Sequence, residues 1–266
     1  MCYYMGRRVT RTEYDELVSF AKKVAFLNEE LAIYKGFDHN DIPVMRYIAG
    51  TKELEKLNMQ WGLLPPKMKS NDAISKFRFG YKPEGGKYIP GYTTLNATSE
   101  ELFGKIMFKQ AALHRRIVVP FEIFFEWRHV QVVGVSGKLL KTPEKFPYKI
   151  EMRDKTEPHY FAGIYNETFN EETKITTNTF TITTTDANSL MQQIHNSKNR
   201  MPTVLPWRIA EMWLDPELDE NGILDVANYQ IASAELKATL LDQDFLKNPD
   251  PLRGVKDPRV ADLVEA

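Results

Sequence analysis

Cys2 is the residue whose position says most about chemistry. Initiator Met is commonly removed before a small second residue. Removal would leave Cys2 with two nucleophiles, an α-amine of pKa about 8 and a thiol of pKa about 8.5. Both are partly in their reactive forms near neutral pH. An aldehyde meeting such a residue forms a Schiff base with the amine. The thiol then closes on the imine carbon to give a five-membered thiazolidine. An interior cysteine cannot do this, because its amine is tied up in a peptide bond. Taken alone, a cysteine at position 2 is more readily an accident of a short N-terminal strand.

Other segments carry groups that could serve such a reaction. Leu95-Asn96-Ala97 lies just before Thr98-Ser99-Glu100-Glu101, a capping-box pattern. A neutral amide there could hold an amine beside a helix N-terminus. Glu126 sits between Phe125 and Trp127 in an apolar strand. A carboxyl so placed tends to have a raised pKa and can act as acid or base, although an outward-facing Glu would read the same. His195 ends a predicted helix and is followed by Arg200-Met201-Pro202; a lone His is more often packed or exposed than catalytic. Gln60-Trp61-Gly62-Leu63-Leu64-Pro65 reads as an aromatic and backbone turn near a surface.

The elements that must position these groups follow from periodicity. A strand is expected within residues 1–10. A helix is expected from Thr12 through Leu17, Phe20 and Val24, and another from Thr98 with Leu102, Phe103, Ile106 and Met107 on its apolar face. The middle reads as strands: Arg116–Pro120, Ile123–Trp127, Val130–Val133, Pro147–Ile150, Tyr160–Gly163 and Phe180–Thr184. Asp186 is placed to cap a helix ending near Ile194, and Pro206 to open one carrying Ile209, Met212 and Trp213. Strands in the centre and helices at the flanks predict a mixed, mostly antiparallel α+β domain over residues 1–247. Residues 248–266 hold Asn-Pro and Asp-Pro breaks and little apolar content, and are expected to be a loosely held tail.

Composition narrows the setting. The chain has 266 residues, 42% hydrophobic and 27% charged, ordinary for a globular protein with a well-buried core. No apolar run reaches membrane-spanning length and no signal segment is recognisable, so a soluble, cytoplasmic protein is expected; a monomer is expected as well. One Cys permits no intramolecular disulfide, and with five scattered His it gives no ligand set of recognisable spacing. No metal or cofactor is expected. The net charge of −1 is unusual for a nucleic-acid binder, so any such role needs a local basic groove. Arg7-Arg8, Lys67 with Lys69, Arg115-Arg116 and Lys198 with Arg200 are local concentrations that could build one.

In order along the chain stand Cys2, Trp61-Gly62-Leu63-Leu64-Pro65, Asn96-Ala97, Arg116–Pro120 leading to Phe125-Glu126-Trp127, Thr184–Asn188, and His195 with Arg200-Met201-Pro202. This ordered set resembles the SOS response-associated peptidase (SRAP) family over roughly residues 2 to 215. The resemblance implies a single domain with a barrel-like β centre. It also implies a protein that senses abasic sites in single-stranded DNA, nucleoid-associated when bound, and shields them through a thiazolidine link. By position, Cys2 is implied as the nucleophile, Asn96 as the group orienting its amine, and Glu126 and His195 as proton carriers. Arg200 is implied as a phosphate contact, and Trp61 and Trp127 as surfaces beside the nucleotide; Lys67 and Arg7 or Arg8 are expected to add phosphate contacts if a local basic groove holds the strand. Tyr3-Tyr4 replaces the Gly-Arg that often follows the cysteine, and Thr98 replaces an arginine. Lys67 stands where a second Trp is usual. The competing reading is a thiol peptidase using Cys2, His195 and Glu126, which would include self-removal of Met1.

Overall fold

The computed structural model describes residues 2–7 and 32–264. Arg8 and the helix expected from Thr12 to Val24 lie outside them. The strands are β1 (Tyr4–Arg7), β2 (Ala32–Lys35), β3 (Asp41–Tyr47), β4 (Leu54–Trp61), β5 (Asn96–Thr98), β6 (Arg116–Pro120), β7 (Ile123–Val130), β8 (Glu144–Met152), β9 (His159–Phe169), β10 (Thr176–Asp186), β11 (Arg200–Pro202), β12 (Val204–Pro206) and β13 (Leu236–Leu240). The helices are α1 (Asn71–Phe79), α2 (Ile106–His114), α3 (Ser189–Ile194), α4 (Trp207–Leu214) and α5 (Glu220–Ala227).

Five strands close into a ring. β10 pairs with β4 in parallel and with β9 antiparallel, and β4, β3, β6 and β9 complete the circuit. Side-chain alternation divides the ring into two packed faces. Ile117 and Val119 of β6 join Ile42, Val44, Met59, Trp61, Phe161, Phe180 and Ile182 in one cluster. Val118 points the other way, to Met45, Ala162 and Ile164 and to Phe108, Trp213 and Ile223 of the flanking helices. Burial on both faces is why β6 reads as a continuous apolar run, Ile117-Val118-Val119.

A second, antiparallel sheet has the order β13-β8-β7-β1-β2. Phe124, Phe146, Tyr148 and Ile150 face the ring's cluster, while Ile123 and Phe125 face outward beneath Leu241 and Phe245. The α+β architecture with a barrel-like centre and flanking helices is the one the sequence predicts.

Several local expectations differ. Thr98 makes no side-chain cap; residues 96–98 join β10 as a strand, a 3-10 turn follows at Ser99–Glu101, and α2 opens only at Ile106. Ile106 is 94% exposed, so the apolar face is carried by Leu102 and Phe108. The cap of α3 is Asn188, whose side chain accepts from Met191 N at 2.9 Å, because Asp186 is still paired within β10. Pro206 is the residue before α4, not its first. β7 runs through Val130, and Val133 forms only an isolated bridge to Leu139.

Residues 248–264 contain no helix or strand, yet they are tied down. Val260 is buried in the main cluster with Leu263 against it. Arg128 donates to Ala261 O at 2.7 Å, Val264 exchanges two bonds with Gln193, and Arg259 pairs with Glu144 at 2.8 Å. Widely spaced apolar anchors do this without any periodic pattern for the sequence to display.

Arg116 binds the ring to its helices. It is buried and donates to Ala112 O and Leu113 O at the end of α2, and to Trp213 O and Asp215 O at the end of α4. These are carbonyls that helices leave unpaired, and a cation there also suits both dipoles. Burial lowers its pKa to about 10, so it stays charged at neutral pH. Arg116→Met should strand those acceptors and cost on the order of 3 kcal/mol. Urea unfolding checks this; an unchanged midpoint would make the four bonds energetically idle.

Candidate active site

The site lies where β7 and the segment before β1 meet β5. Cys2 is fully buried, and its Sγ lies 3.5 Å from Tyr4 O. Asn96 of β5 donates through Nδ2 to Cys2 O at 2.9 Å. Its own Oδ1 is buried and has no hydrogen-bond partner among the described residues. Burial, followed by the nearby Glu126 carboxyl, pushes the Cys2 thiol well above the usual thiol range.

The turn at Trp61-Gly62 holds β5 in place. Trp61 Nε1 donates to Leu95 O at 2.8 Å, Gly62 N to Phe180 O at 2.8 Å and Leu63 N to Thr94 O at 3.2 Å. Gly62 has φ +119, and a Cβ there would stand 2.5 Å from the His39 ring, so only glycine fits. Trp61 itself is fully buried and stacks with Phe180. It is therefore a core residue that sets the neighbour of Asn96, in place of the expected surface beside a nucleotide.

Glu126 of β7 is 2% exposed, and burial raises its pKa to about 7. His195 caps the end of α3, and burial lowers its pKa to about 4. Its Nδ1 lies 2.7 Å from Arg200 O. A carbonyl can only accept, so Nδ1 carries the proton and Nε2 of the neutral ring presents a lone pair. That Nε2 is 3.9 Å from Glu126 Oε2. The separation exceeds a hydrogen bond, His195 is neutral at neutral pH, and Glu126 is there divided between its neutral and ionised forms, so the two do not make an ion pair. An oxygen atom of a reactant could bridge them with arms of about 2.8 Å.

Arg200 anchors the loop behind His195. Nη1 bonds Glu100 Oε1 at 2.7 Å and Asp186 Oδ1 at 2.8 Å; Nη2 bonds Glu100 Oε2 at 3.0 Å and Thr184 O at 2.6 Å. Its terminal nitrogens are thus committed to protein acceptors, which makes a clamp where the sequence predicts a phosphate contact. Trp127 is half-buried with its ring 5.1 Å from Tyr4, on the sheet face opposite Glu126. Arg7 is buried, and Lys67 is exposed beyond the Trp61 turn.

Three contributors escape the sequence reading. Glu100 and Asp186 complete the Arg200 clamp, whereas the sequence presents Glu100 within a capping-box pattern and Asp186 as a helix cap in the Thr184–Asn188 segment. Tyr3, half-buried, has its phenol pKa raised by burial and then by Glu126 and Cys2, which places it at the site. The departure from glycine at position 3 is the one signal that marks it. Among the described residues, no three His, Cys, Asp or Glu side chains converge to hold a metal ion, and no helix is long and apolar enough to cross a membrane.

Two stability measurements test this geometry. The folded pKa of Glu126, about 7, lies above the unfolded value of about 4.3. The folded state therefore favours the protonated form, and its cost of ionisation grows as pH rises from about 4.3 to 7. Glu126→Gln should be more stable than the parent at pH 8, by at most about 4 kcal/mol, with the gap closing near pH 4. A constant gap across pH would place Glu126 in a solvated setting. Arg200→Ala and Glu100→Gln should each lower Tm. The double variant should lose less than the sum, with a coupling of about 0.5–3 kcal/mol, because both break one clamp; additive losses would show independent roles.

A model of the SOS response associated peptidase (SRAP) family matches residues 1–244. The abasic site processing protein YoqW of Bacillus subtilis (strain 168) is 30% identical over 175 residues, covering 62% of this chain and 71% of that protein. YoaM of the same organism, also an abasic site processing protein, is 30% identical over 149 residues, covering 56% and 59%. A crystal structure of a protein from Bacteroides thetaiotaomicron superposes with a TM-score of 0.74 at 25% identity, covering 96% of this chain and 100% of that one. With nearly its whole length matched by the family model, the chain belongs to the SOS response associated peptidase (SRAP) family.

Proposed function

We propose that, once Met1 is removed, Cys2 captures the aldehyde of abasic sites in single-stranded DNA as a covalent thiazolidine and so shields the lesion. The names of YoqW and YoaM support abasic-site processing as the activity. The observation that carries the chemistry is Glu126: a buried carboxyl with a pKa of about 7, beside Cys2 and facing a His195 lone pair.

The reaction balances as follows. The α-amine of Cys2 adds to the aldehyde carbon of the ring-opened sugar, giving a carbinolamine. Protonation of its hydroxyl, for which the neutral Glu126 is suited, expels one water and leaves the imine. The thiol then adds across the C=N bond: sulfur bonds carbon and the thiol proton passes to nitrogen, directly or through Glu126. An acid whose pKa lies near the working pH can both give and take a proton. Asn96 holds the Cys2 carbonyl, so the backbone that carries both nucleophiles is fixed before the aldehyde arrives.

The peptidase reading fits this electrostatic setting less well. A thiol peptidase relies on a thiolate stabilised by a protonated imidazole. Here burial raises the thiol pKa and lowers that of His195, so both partners favour their neutral forms.

A denaturing gel tests the proposal. Mature protein mixed with an abasic single strand should give a band that survives denaturation, and protein that retains Met1 by intact mass should give none. Glu126→Gln should slow both formation and reversal by about 10²- to 10⁴-fold. Crosslinking by the Met1-retaining form would refute the role of the amine.

A further inference from the structure

Residues 67–92 depart from the rest of the chain in charge. They hold six Lys or Arg and two acids, in a protein whose net charge is −1. Five aromatic residues are interleaved with these cations: Phe77, Phe79, Tyr81, Tyr88 and Tyr92. Four of them are exposed to solvent, Phe79, Tyr88 and Tyr92 the most, at 61%, 60% and 67%, and Tyr81 at 38%.

The segment is held rigidly. Tyr81 and Ile89 exchange backbone bonds of 2.9 and 2.8 Å, Tyr92 N donates to Phe77 O at 2.7 Å, and Tyr88 Oη donates to Phe79 O at 2.6 Å. Tyr92 stacks on Phe77 with centroids 5.1 Å apart. Gly80, at φ +74, and Gly91 let the two arms touch backbone to backbone; a Cβ at Gly91 would lie 2.4 Å from Arg78 O. Aromatic faces fixed in this way lose little freedom when something stacks on them.

The surface leads to the active site. Phe79 meets the His39 ring edge-on at 6.0 Å, and His39 ends the 3-10 turn that carries Phe37. Phe37 is itself 53% exposed and lies 5.0 Å from the Tyr3 ring, next to Cys2. Lys69 and Lys76 are engaged by Glu171 and Asp72, whereas Lys67, Lys82 and Lys87 are exposed and make no ion pair with a described residue.

We propose that this arm, with Phe37, is a stacking platform for single-stranded nucleic acid, holding the unpaired bases that flank the reacting sugar. Exposed aromatic faces interleaved with unpaired cations suit a flexible polyanion with free bases, and they account for how a chain of neutral net charge can grip one. A protein partner would have less use for the excess positive charge. The inference rests on the proposed function for its substrate, but undamaged strands test it without the chemistry at Cys2.

Fluorescence anisotropy with an undamaged labelled single strand, repeated over a salt series, is the experiment. Phe79→Ala and Tyr88→Ala should each weaken binding roughly 5- to 150-fold. Lys82→Gln with Lys87→Gln, both on an exposed loop, should flatten the salt slope by about 1.4, at roughly 0.7 per phosphate. A duplex should bind more weakly than the strand. Thermal melting confirms that each variant is folded. Folded variants with parental affinity and slope would overturn the platform, as would variants that change only self-association in sedimentation. A platform that binds strands in a protein that forms no adduct with an abasic strand would instead refute the reaction proposed at Cys2.

Discussion

A carboxyl group almost completely removed from water must be neutral or well paired, and the structure is arranged around meeting that demand at Glu126. Two sheets have to meet to bury it. β7 brings Glu126 to the inner face of the second sheet, and its pairing with β1 sets Tyr4 against Phe125 and brings Cys2 close. Closure of the ring through β10 lays β5 alongside, so that Asn96 reaches Cys2 O. α3 then delivers His195 with its proton already fixed on Nδ1 by Arg200 O. A site exposed on one sheet would leave Glu126 solvated, ionised at neutral pH and a weak proton donor.

Rigidity behind the reacting groups comes from cations placed inside the fold. Arg116 ends two helices at once, and Arg200 ties Glu100, Asp186 and Thr184 O together behind His195. Both arginines belong to basic concentrations that a reading for DNA contact picks out. Burial removes Arg116 from such a surface and protein acceptors occupy Arg200, which leaves the positive charge of residues 67–92 as the more accessible concentration.

The α+β class and most strands were legible because β-branched and aromatic runs of strand length admit few other readings. Cys2, Asn96, Glu126 and His195 were legible as an ordered set, and the structure brings the four together. What was hidden depends on partners distant in sequence. Trp61 looks like a surface aromatic until Leu95 O and Phe180 are seen around it. Thr98-Ser99-Glu100-Glu101 satisfies the local rule for a helix start, but pairing of Asn96–Thr98 with β10 overrides it. Ring closure by the parallel β10–β4 pairing has no local signature.

The chemistry proposed at Cys2 depends on the protonation states of one pair, Glu126 and His195. An NMR titration of the folded protein, with labelled His195 ring nitrogens and a labelled Glu126 carboxyl carbon, reads them directly. The structure predicts a neutral His195 protonated on Nδ1 at neutral pH and down to about pH 5, and a Glu126 that titrates near 7. A His195 that becomes cationic at or above its ordinary pKa of about 6.5, beside a Glu126 already ionised at pH 5, would contradict it. The pair would then be an ion pair, with no neutral acid to expel water and every reason to revive the thiolate–imidazolium reading.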